Sequence, residues 1–414
     1  MTPERPKSKL KAAAGKMLSG NMAVVGLQAL NFLLLARTLG SAQFGALATI
    51  NAAAAILTPV AGLGFGSVML MKVSRDAKAA PQAAGNALAM QALTGLLIAF
   101  IGAVALMHLS SFHVPLALCL AVLIAELVLM RTSITAAQFF SALEKYGVAS
   151  MVNVSASCAR VLSIGSLVLL LTKPTLEAWA AMFVCVAAVF ATGLVVLMHR
   201  FAGGLSIDRG AFRSDFSSGL DFSFGTLAKA IYTDVDKLVL ARFATASDVG
   251  VYASAYRLAV MAFSPVRALL DASAARFFRE GASGLKSAVK VSLGLMRVTV
   301  PYTVLVALVL GFGAPLLPLI FGADYAPATP ILRIIAFLPL VQGVHYTLSD
   351  ALSGAGMQRA RALCQSAVVL VYVALAFLII PKLGPLGAAI TCMSSEMLLA
   401  VLIGAVVAFR TRRN

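Results

Sequence analysis

Long apolar stretches cover almost the whole chain, separated by short breaks marked by charge, glycine or proline. About 20 apolar residues span a hydrocarbon core. Lipid cannot satisfy free backbone polar groups, so such stretches read as helices. The pattern predicts twelve, near 17–37, 44–70, 84–107, 113–131, 147–171, 176–199, 217–243, 248–275, 287–312, 329–352, 361–381 and 384–409. The fourth is expected to run on past the membrane face through 131–147, and the eighth through 276–280. The expected organisation is a basic N-terminal segment (1–16), a six-helix lobe (17–199), a linker (200–216), a second six-helix lobe (217–409) and a basic tail (410–414). The fold class is an all-α polytopic membrane protein.

Composition agrees. Of 414 residues, 60% are hydrophobic and 12% charged, with a mean hydropathy of +0.94. Soluble domains carry about 25% charged residues, so a water-soluble body is excluded. Cys119, Cys158, Cys185, Cys364 and Cys392 lie in apolar stretches without CxxC or metal-ligand spacing, which excludes a disulfide scaffold. No phosphate-binding G-x-x-x-x-G-K-[ST] run occurs, and no polar segment is long enough for an extramembrane enzyme domain. Residues 1–16 lead into a long apolar span without a clear cleavage site, so the first helix is read as retained. No metal or cofactor site is expected.

Charge is the odd term: 33 Lys and Arg against 16 Asp and Glu, a formal +17. With both termini on one side of the membrane, 22 of these cations fall on that side. Only Arg37, Lys173, Arg242 and Lys382 fall on the other. The positive-inside rule then places both termini in the cytoplasm. The bias holds loop by loop, which supports twelve helices, because one miscounted helix would invert it downstream. The outer connections are short, which argues against a polymerase or ligase acting through a large outer loop.

An internal repeat is visible. Leu33-Leu-Leu-Ala-Arg37 recurs as Leu238-Val-Leu-Ala-Arg242, 205 residues later. Each arginine is followed eight residues on by a glycine, Gly45 and Gly250. Thr58-Pro59-Val60 answers Ser264-Pro265-Val266 at an offset of 206. Six helices separate the copies, so the halves run in the same direction, a parallel repeat of the kind that places a substrate site between halves. Gly62, Gly64 and Gly66, with Pro59 and Pro265, mark helices able to bend.

Seven cations lie within the spans: Arg160, Lys229, Lys237, Arg257, Arg267, Arg297 and Arg333. A charge at the centre of a spanning helix costs at least about 2.5–3.5 kcal/mol, so it persists where it is paired or lines a wet cavity. Asp234 and Lys237 are spaced i,i+3, and Arg267 and Asp271 i,i+4, so each pair shares a helix face. Arg160, Lys229, Arg257, Arg297 and Arg333 have no acid within four positions. Several such cations facing one chamber suit a polyanionic head group such as a diphosphate, which arginine contacts bidentately. All seven are candidate substrate-binding residues. Arg37 and Arg242, near the outer ends of the first and seventh helices, are candidate gating or head-group residues. Glu126, Asp234, Asp236, Asp271 and Glu396 are candidate ion-coupling acids. His345, beside Tyr346, reads as a proton relay or a satisfied core histidine. No nucleic-acid partner is expected, since no soluble surface carries the basic excess.

At these residues the chain resembles a known family. Arg37-Thr-Leu-Gly-Ser-Ala-Gln-Phe-Gly45 is similar to the R-x-L-G-x-x-x-[FY]-G segment of polysaccharide and O-antigen flippases (Wzx type), of the multidrug/oligosaccharidyl-lipid/polysaccharide exporter superfamily. Asp236-Lys237-Leu-Val-Leu, then Val249-Gly-Val-Tyr252 and Ala255-Tyr-Arg257-Leu, resembles that family's start of the second half. Gly384-Pro-Leu-Gly-Ala-Ala389 is similar to its opening of a late helix. The resemblance covers essentially the whole chain and rests on the order and spacing of short motifs.

The resemblance implies a two-lobed flippase of the bacterial inner membrane, not an enzyme. It would move an undecaprenyl-diphosphate-linked oligosaccharide from the cytoplasmic to the periplasmic leaflet by alternating access, for O-antigen, capsule or exopolysaccharide synthesis. A cationic cavity would accept the diphosphate, with Lys237 and Arg257 on family motif positions. Implied partners are the bilayer, the lipid-linked glycan, a polysaccharide polymerase and a chain-length regulator. The competing reading is a multidrug or small-molecule antiporter of the same superfamily, which would need an acidic or apolar pocket. A major-facilitator porter would also give twelve helices, but 72–78 lack that family's loop pattern.

Overall fold

The computed structural model describes residues 7–413, with the side chains of 7–19, 21, 209, 211, 214, 221, 224, 225, 228, 229 and 413 outside the description. The described residues are helical almost throughout, without strands. In chain order the helices are α1 (Lys7–Leu57), α2 (Phe65–Arg75), α3 (Ala80–Leu109), α4 (Leu116–Ala142), α5 (Tyr146–Leu170), α6 (Leu176–Ala202), α7 (Arg209–Phe243), α8 (Ala246–Gly281), α9 (Leu285–Phe321), α10 (Ala328–Gly354) and α11 (Gln358–Arg413).

Among the described residues nine helices are long and apolar enough to cross a membrane. Two of them are each a pair of spans joined at a bend. α1 bends at Gly40 (φ 71°, ψ 173°) and α11 at Gly384 (φ 55°, ψ −131°), between Pro381 and Pro385. Both glycines adopt backbone angles that other residues avoid. With α7 this accounts for the twelve expected spans in two sets of six. The fourth helix does run on, to Ala142, and the eighth to Gly281.

The main departure is in the second span. The pattern predicts one helix over 44–70, but it breaks after Leu57 and resumes at Phe65. Pro59 removes a donor. Gly62 (φ 80°), Leu63 (φ 43°) and Gly64 (φ 69°) then turn the chain through left-handed conformations. Within α4, residues Ala125–Met130 form a π-helical turn. The expected linker 200–216 is mostly helical, leaving only 203–208 between α6 and α7.

The chain forms two compact units, Met1–Leu39 with Ala46–Asp234, and Gly40–Gly45 with Val235–Asn414. In the first, Phe65, Met69, Met90, Phe139, Phe140 and Met198 pack into an apolar core. In the second, Phe263, Val266 and Leu270 pack with Tyr302 and Tyr346, and Phe277 with Ala288 and Val291. Large apolar side chains such as Phe100, Leu169, Val189, Phe312 and Leu370 point outward. On a soluble protein so much exposed apolar surface would be a liability; on spanning helices it is the face that meets lipid. The protein is a multi-pass membrane protein.

Candidate functional site

In the first unit, one ion pair within the spans is made between helices. Arg160 on α5 meets Glu126 in the π-helical turn of α4. Nη2 donates to Oε2 at 2.6 Å, and Nη1 donates to Oε1. The guanidinium also lies 5.5 Å from the Phe183 ring of α6. Arg160 is therefore not an unpaired cation, as its lack of a neighbouring acid suggested. Its partner is 34 positions away, out of reach of any single-helix spacing rule. The expectation for Lys229 falls on a side chain outside the described residues.

Arg131, expected at the membrane face, lies inside the continuous helix α4, in keeping with the expected run-on of that helix. Its Nη1 donates to the Thr58 carbonyl oxygen at 2.5 Å, where α1 has just ended. A cation there compensates carbonyls left without helical partners. Around it Gly62, Gly64, Gln91, Thr135 and Gln138 line a cavity of about 50 Å³. The glycines and Pro59 signalled a bend; nothing in the sequence named Arg131 as its anchor.

In the second unit, Asp236 on α7 is fully buried. Tyr252 of α8 donates its hydroxyl to Asp236 Oδ2, and the Lys237 backbone N–H donates to Oδ1 at 2.8 Å. Lys237 Nζ stands 3.4 Å from Asp236 Oδ1 and 4.1 Å from the centre of the Tyr256 ring. The adjacent Asp236 is a buried countercharge of Lys237; Asp234, its expected i,i+3 partner, is half-buried.

A second buried polar group joins α10 to α11. Gln342 Nε2 donates to Glu396 Oε1 at 2.9 Å, and His345 Nε2 lies 2.5 Å from Glu396 Oε2. Tyr346 packs its ring against His345 and stacks on Phe263. Arg267 of α8 sits 5.5 Å from the Tyr346 ring. Glu396 and His345 stood apart in the sequence reading, and the fold brings them into contact.

Arg257, Arg267, Arg297 and Arg333, on α8, α9 and α10, are exposed on the second unit, as are Arg37 and Arg242 near helix bends or ends. Asp271 is also exposed. It lines a cavity of about 440 Å³ with Asp350, Ser353, Gln358 and Arg361. There Arg361 Nη1 donates to Ser353 Oγ at 2.8 Å and to Asp350 Oδ1 at 3.3 Å. The arrangement offers two chemistries. Exposed guanidinium groups donate charge-assisted hydrogen bonds to anionic oxygens. Buried carboxyl groups, held by one cation or one imidazole, can trade protons or ions. Among the described residues no three His, Cys, Asp or Glu side chains group as metal ligands.

The family model described as "Polysaccharide biosynthesis protein" matches residues 11–274. Among curated proteins none matches the sequence. The fold resembles the lipid II flippase MurJ in an inward closed conformation (TM-score 0.73, 13% identity, 95% of this chain and 87% of that one). It also resembles an inward-facing multidrug resistance MATE family transporter of the MOP superfamily (TM-score 0.68, 16% identity, 97% and 98%). A third similar structure is a MOP superfamily transporter from Pyrococcus furiosus, described as having a binding pocket of reverse polarity (TM-score 0.56, 16% identity, 95% and 93%). At these identities the likeness is one of fold.

Proposed function

The chain belongs to the polysaccharide biosynthesis protein family, and on that premise we propose that it is a flippase for an undecaprenyl-diphosphate-linked oligosaccharide. It carries its substrate from the cytoplasmic to the periplasmic leaflet of a bacterial inner membrane by alternating access. Its termini are cytoplasmic, a reading that the sorting of cations supports. Its six-helix lobes are 17–199 and 217–409, joined through 200–216. The product feeds O-antigen, capsule or exopolysaccharide assembly, with a polymerase and a chain-length regulator downstream.

The observation that carries the reading is the exposure of Arg267, Arg297 and Arg333 on helices of one unit. A guanidinium kept at membrane depth is costly unless it meets an anion, and a lipid diphosphate brings several anionic oxygens. Arg160 and Lys237 have acids of their own, so they move from head-group contacts to supporting charges. Arg37 and Arg242 remain gating or head-group candidates. Asp234, Asp236, Asp271, Glu126 and Glu396 are the candidates for the coupling ion's site.

A second reading, a small-molecule antiporter, draws on the MATE-like fold. Reconstitution separates the two. Proteoliposomes should expose a labelled lipid-linked glycan on the far leaflet, and Arg257→Ala and Arg297→Ala should slow this. If the label stays put while a cationic dye is exchanged for protons, the antiporter reading replaces the flippase.

A further inference from the structure

Gln342, His345 and Glu396 are 7%, 1% and 4% exposed between α10 and the second arm of α11. Among the described residues, the hydrogen-bond partners of the Glu396 carboxyl are Gln342 and His345, and His345 Nδ1 has none. A contact of 2.5 Å between a ring nitrogen and a carboxyl oxygen requires one proton on the line between them. With that proton the pair is neutral overall, whether it is acid and imidazole or carboxylate and imidazolium. Without it a net negative charge is left in an apolar bundle. A second proton, taken at Nδ1, leaves a net positive one. Either state is expensive in a dry interior, and the Gln342 amide carries no charge to offset it.

Among the described residues no Lys or Arg forms an ion pair with Glu396. From α8, Arg267 hydrogen-bonds the Tyr346 side chain, its guanidinium 5.5 Å from the ring centre, and Phe263 stacks beside it. From α9 come the buried hydroxyls of Ser292, Thr299 and Thr303. On α11, Cys392 lies within electrostatic reach of Glu396, and through it Asp236, Lys237 and Tyr252. Arg361 is bound to Asp350 and Ser353. Ser349 on α10, with Thr391 and Ser395 on α11, presents buried hydroxyl oxygens without a partner. Along the same two helices they lie one to five positions from the pair.

We propose that Glu396 and His345 together hold the proton that drives the transport cycle. The proposal rests on the transport reading above and names its coupling ion. Loading adds one proton to the nitrogen–oxygen pair and release returns it; no other bond is made or broken. Because neither charged state is tolerated while the pair is dry, the load changes only when α10 and α11 part enough to admit water. Proton exchange is thereby tied to a conformational step, which coupling demands.

The test uses the full-length protein in proteoliposomes with fluorescent undecaprenyl-diphosphate-linked glycan. An imposed pH gradient should accelerate wild-type transfer. Glu396→Gln and His345→Gln should lose that acceleration, and Tyr346→Phe should keep it. A gradient response retained by both Glu396→Gln and His345→Gln overturns the proposal. Infrared difference spectra across a pH step give a readout independent of transport: wild type should show a carboxyl band that Glu396→Gln lacks. The same band in Glu396→Gln overturns the proposal as well. If wild type moves no glycan under any condition, the transport reading falls, and the proton site stands or falls by the infrared band alone.

Discussion

Gly45 and Gly250 meet backbone to backbone in the second unit. A Cβ on Gly45 would stand 1.7 Å from the Ala246 carbonyl oxygen and 2.6 Å from the Gly250 nitrogen; a Cβ on Gly250 would stand 2.0 Å from the Ser41 carbonyl oxygen. Beside them Ser41 Oγ and Ser247 Oγ are hydrogen-bonded at 2.7 Å. The glycines are 205 positions apart and the serines 206, the offset of the internal repeat. Equivalent residues of the two copies therefore touch each other. Small residues let membrane helices approach this closely.

The atoms a side chain would strike there are backbone, which cannot swing aside. Gly250→Val should therefore destabilise the protein by at least the 1–3 kcal/mol, roughly, of an overpacked core. Thermal unfolding of the purified protein in detergent reads this directly. Gly294→Val should leave the melting temperature unchanged, because nothing lies within 4 Å of the Cβ position there. Equal melting temperatures for the two variants would refute the close crossing.

The Arg160–Glu126 pair makes a different kind of prediction. Breaking a half-buried ion pair from one side strands the other charge, at a cost of up to about 3–5 kcal/mol, the value for a fully buried pair, whereas replacing both by apolar groups is often near neutral. Glu126→Gln should thus lower the melting temperature more than the double variant Glu126→Leu/Arg160→Met. The double variant should still transport if Arg160 serves Glu126 and not the substrate. A double variant that folds and moves no lipid-linked glycan would return Arg160 to the head-group site.

The third prediction concerns a fully buried carboxylate. Asp236 takes a hydrogen bond from Tyr252 and a countercharge from Lys237. Tyr252→Phe removes one donor and leaves the shape of the ring unchanged. Leaving a buried acceptor short costs about 1–3 kcal/mol, more for a charged group. Chemical denaturation should show that loss, and Lys237→Met should show a larger one. If Lys237→Met is as stable as wild type, Lys237 is not the countercharge and its role as a substrate contact returns.

The spans, their number and the repeat were legible because each is written in contiguous residues: an apolar run, a glycine after a fixed interval, a proline at a matching offset. Continuation of the fourth helix to Ala142 was legible for the same reason. What sequence could not supply are contacts between helices. Glu126 and Arg160 are 34 positions apart, His345 and Glu396 51, and Arg131 and Thr58 73. Spacing rules for one helix reach only four positions, so a cation paired across helices looks unpaired. The break at 58–64 was half visible: Pro59 and the glycines marked a bend, but the left-handed turn through Leu63 depends on the packing around it.

The exposed arginines give the last prediction. A charge-assisted hydrogen bond is worth about 1.5–3 kcal/mol, and 1.4 kcal/mol is tenfold in affinity. Arg297→Ala and Arg333→Ala should each weaken binding of undecaprenyl diphosphate about tenfold or more if they contact its oxygens. Lysine at either position should recover only part of this, since an ammonium lacks the bidentate fork. Undecaprenyl monophosphate, with fewer anionic oxygens, should bind more weakly to wild type and lose less on substitution. The exposed contacts should also weaken as salt rises, because the screening length shortens to about 3 Å at 1 M. Titration by microscale thermophoresis at low and high salt reads all of these at once. Equal affinities for the two lipids, with no salt dependence, would mean that these cations do not receive the head group, and the case for an anionic lipid-linked substrate would lose its physical basis.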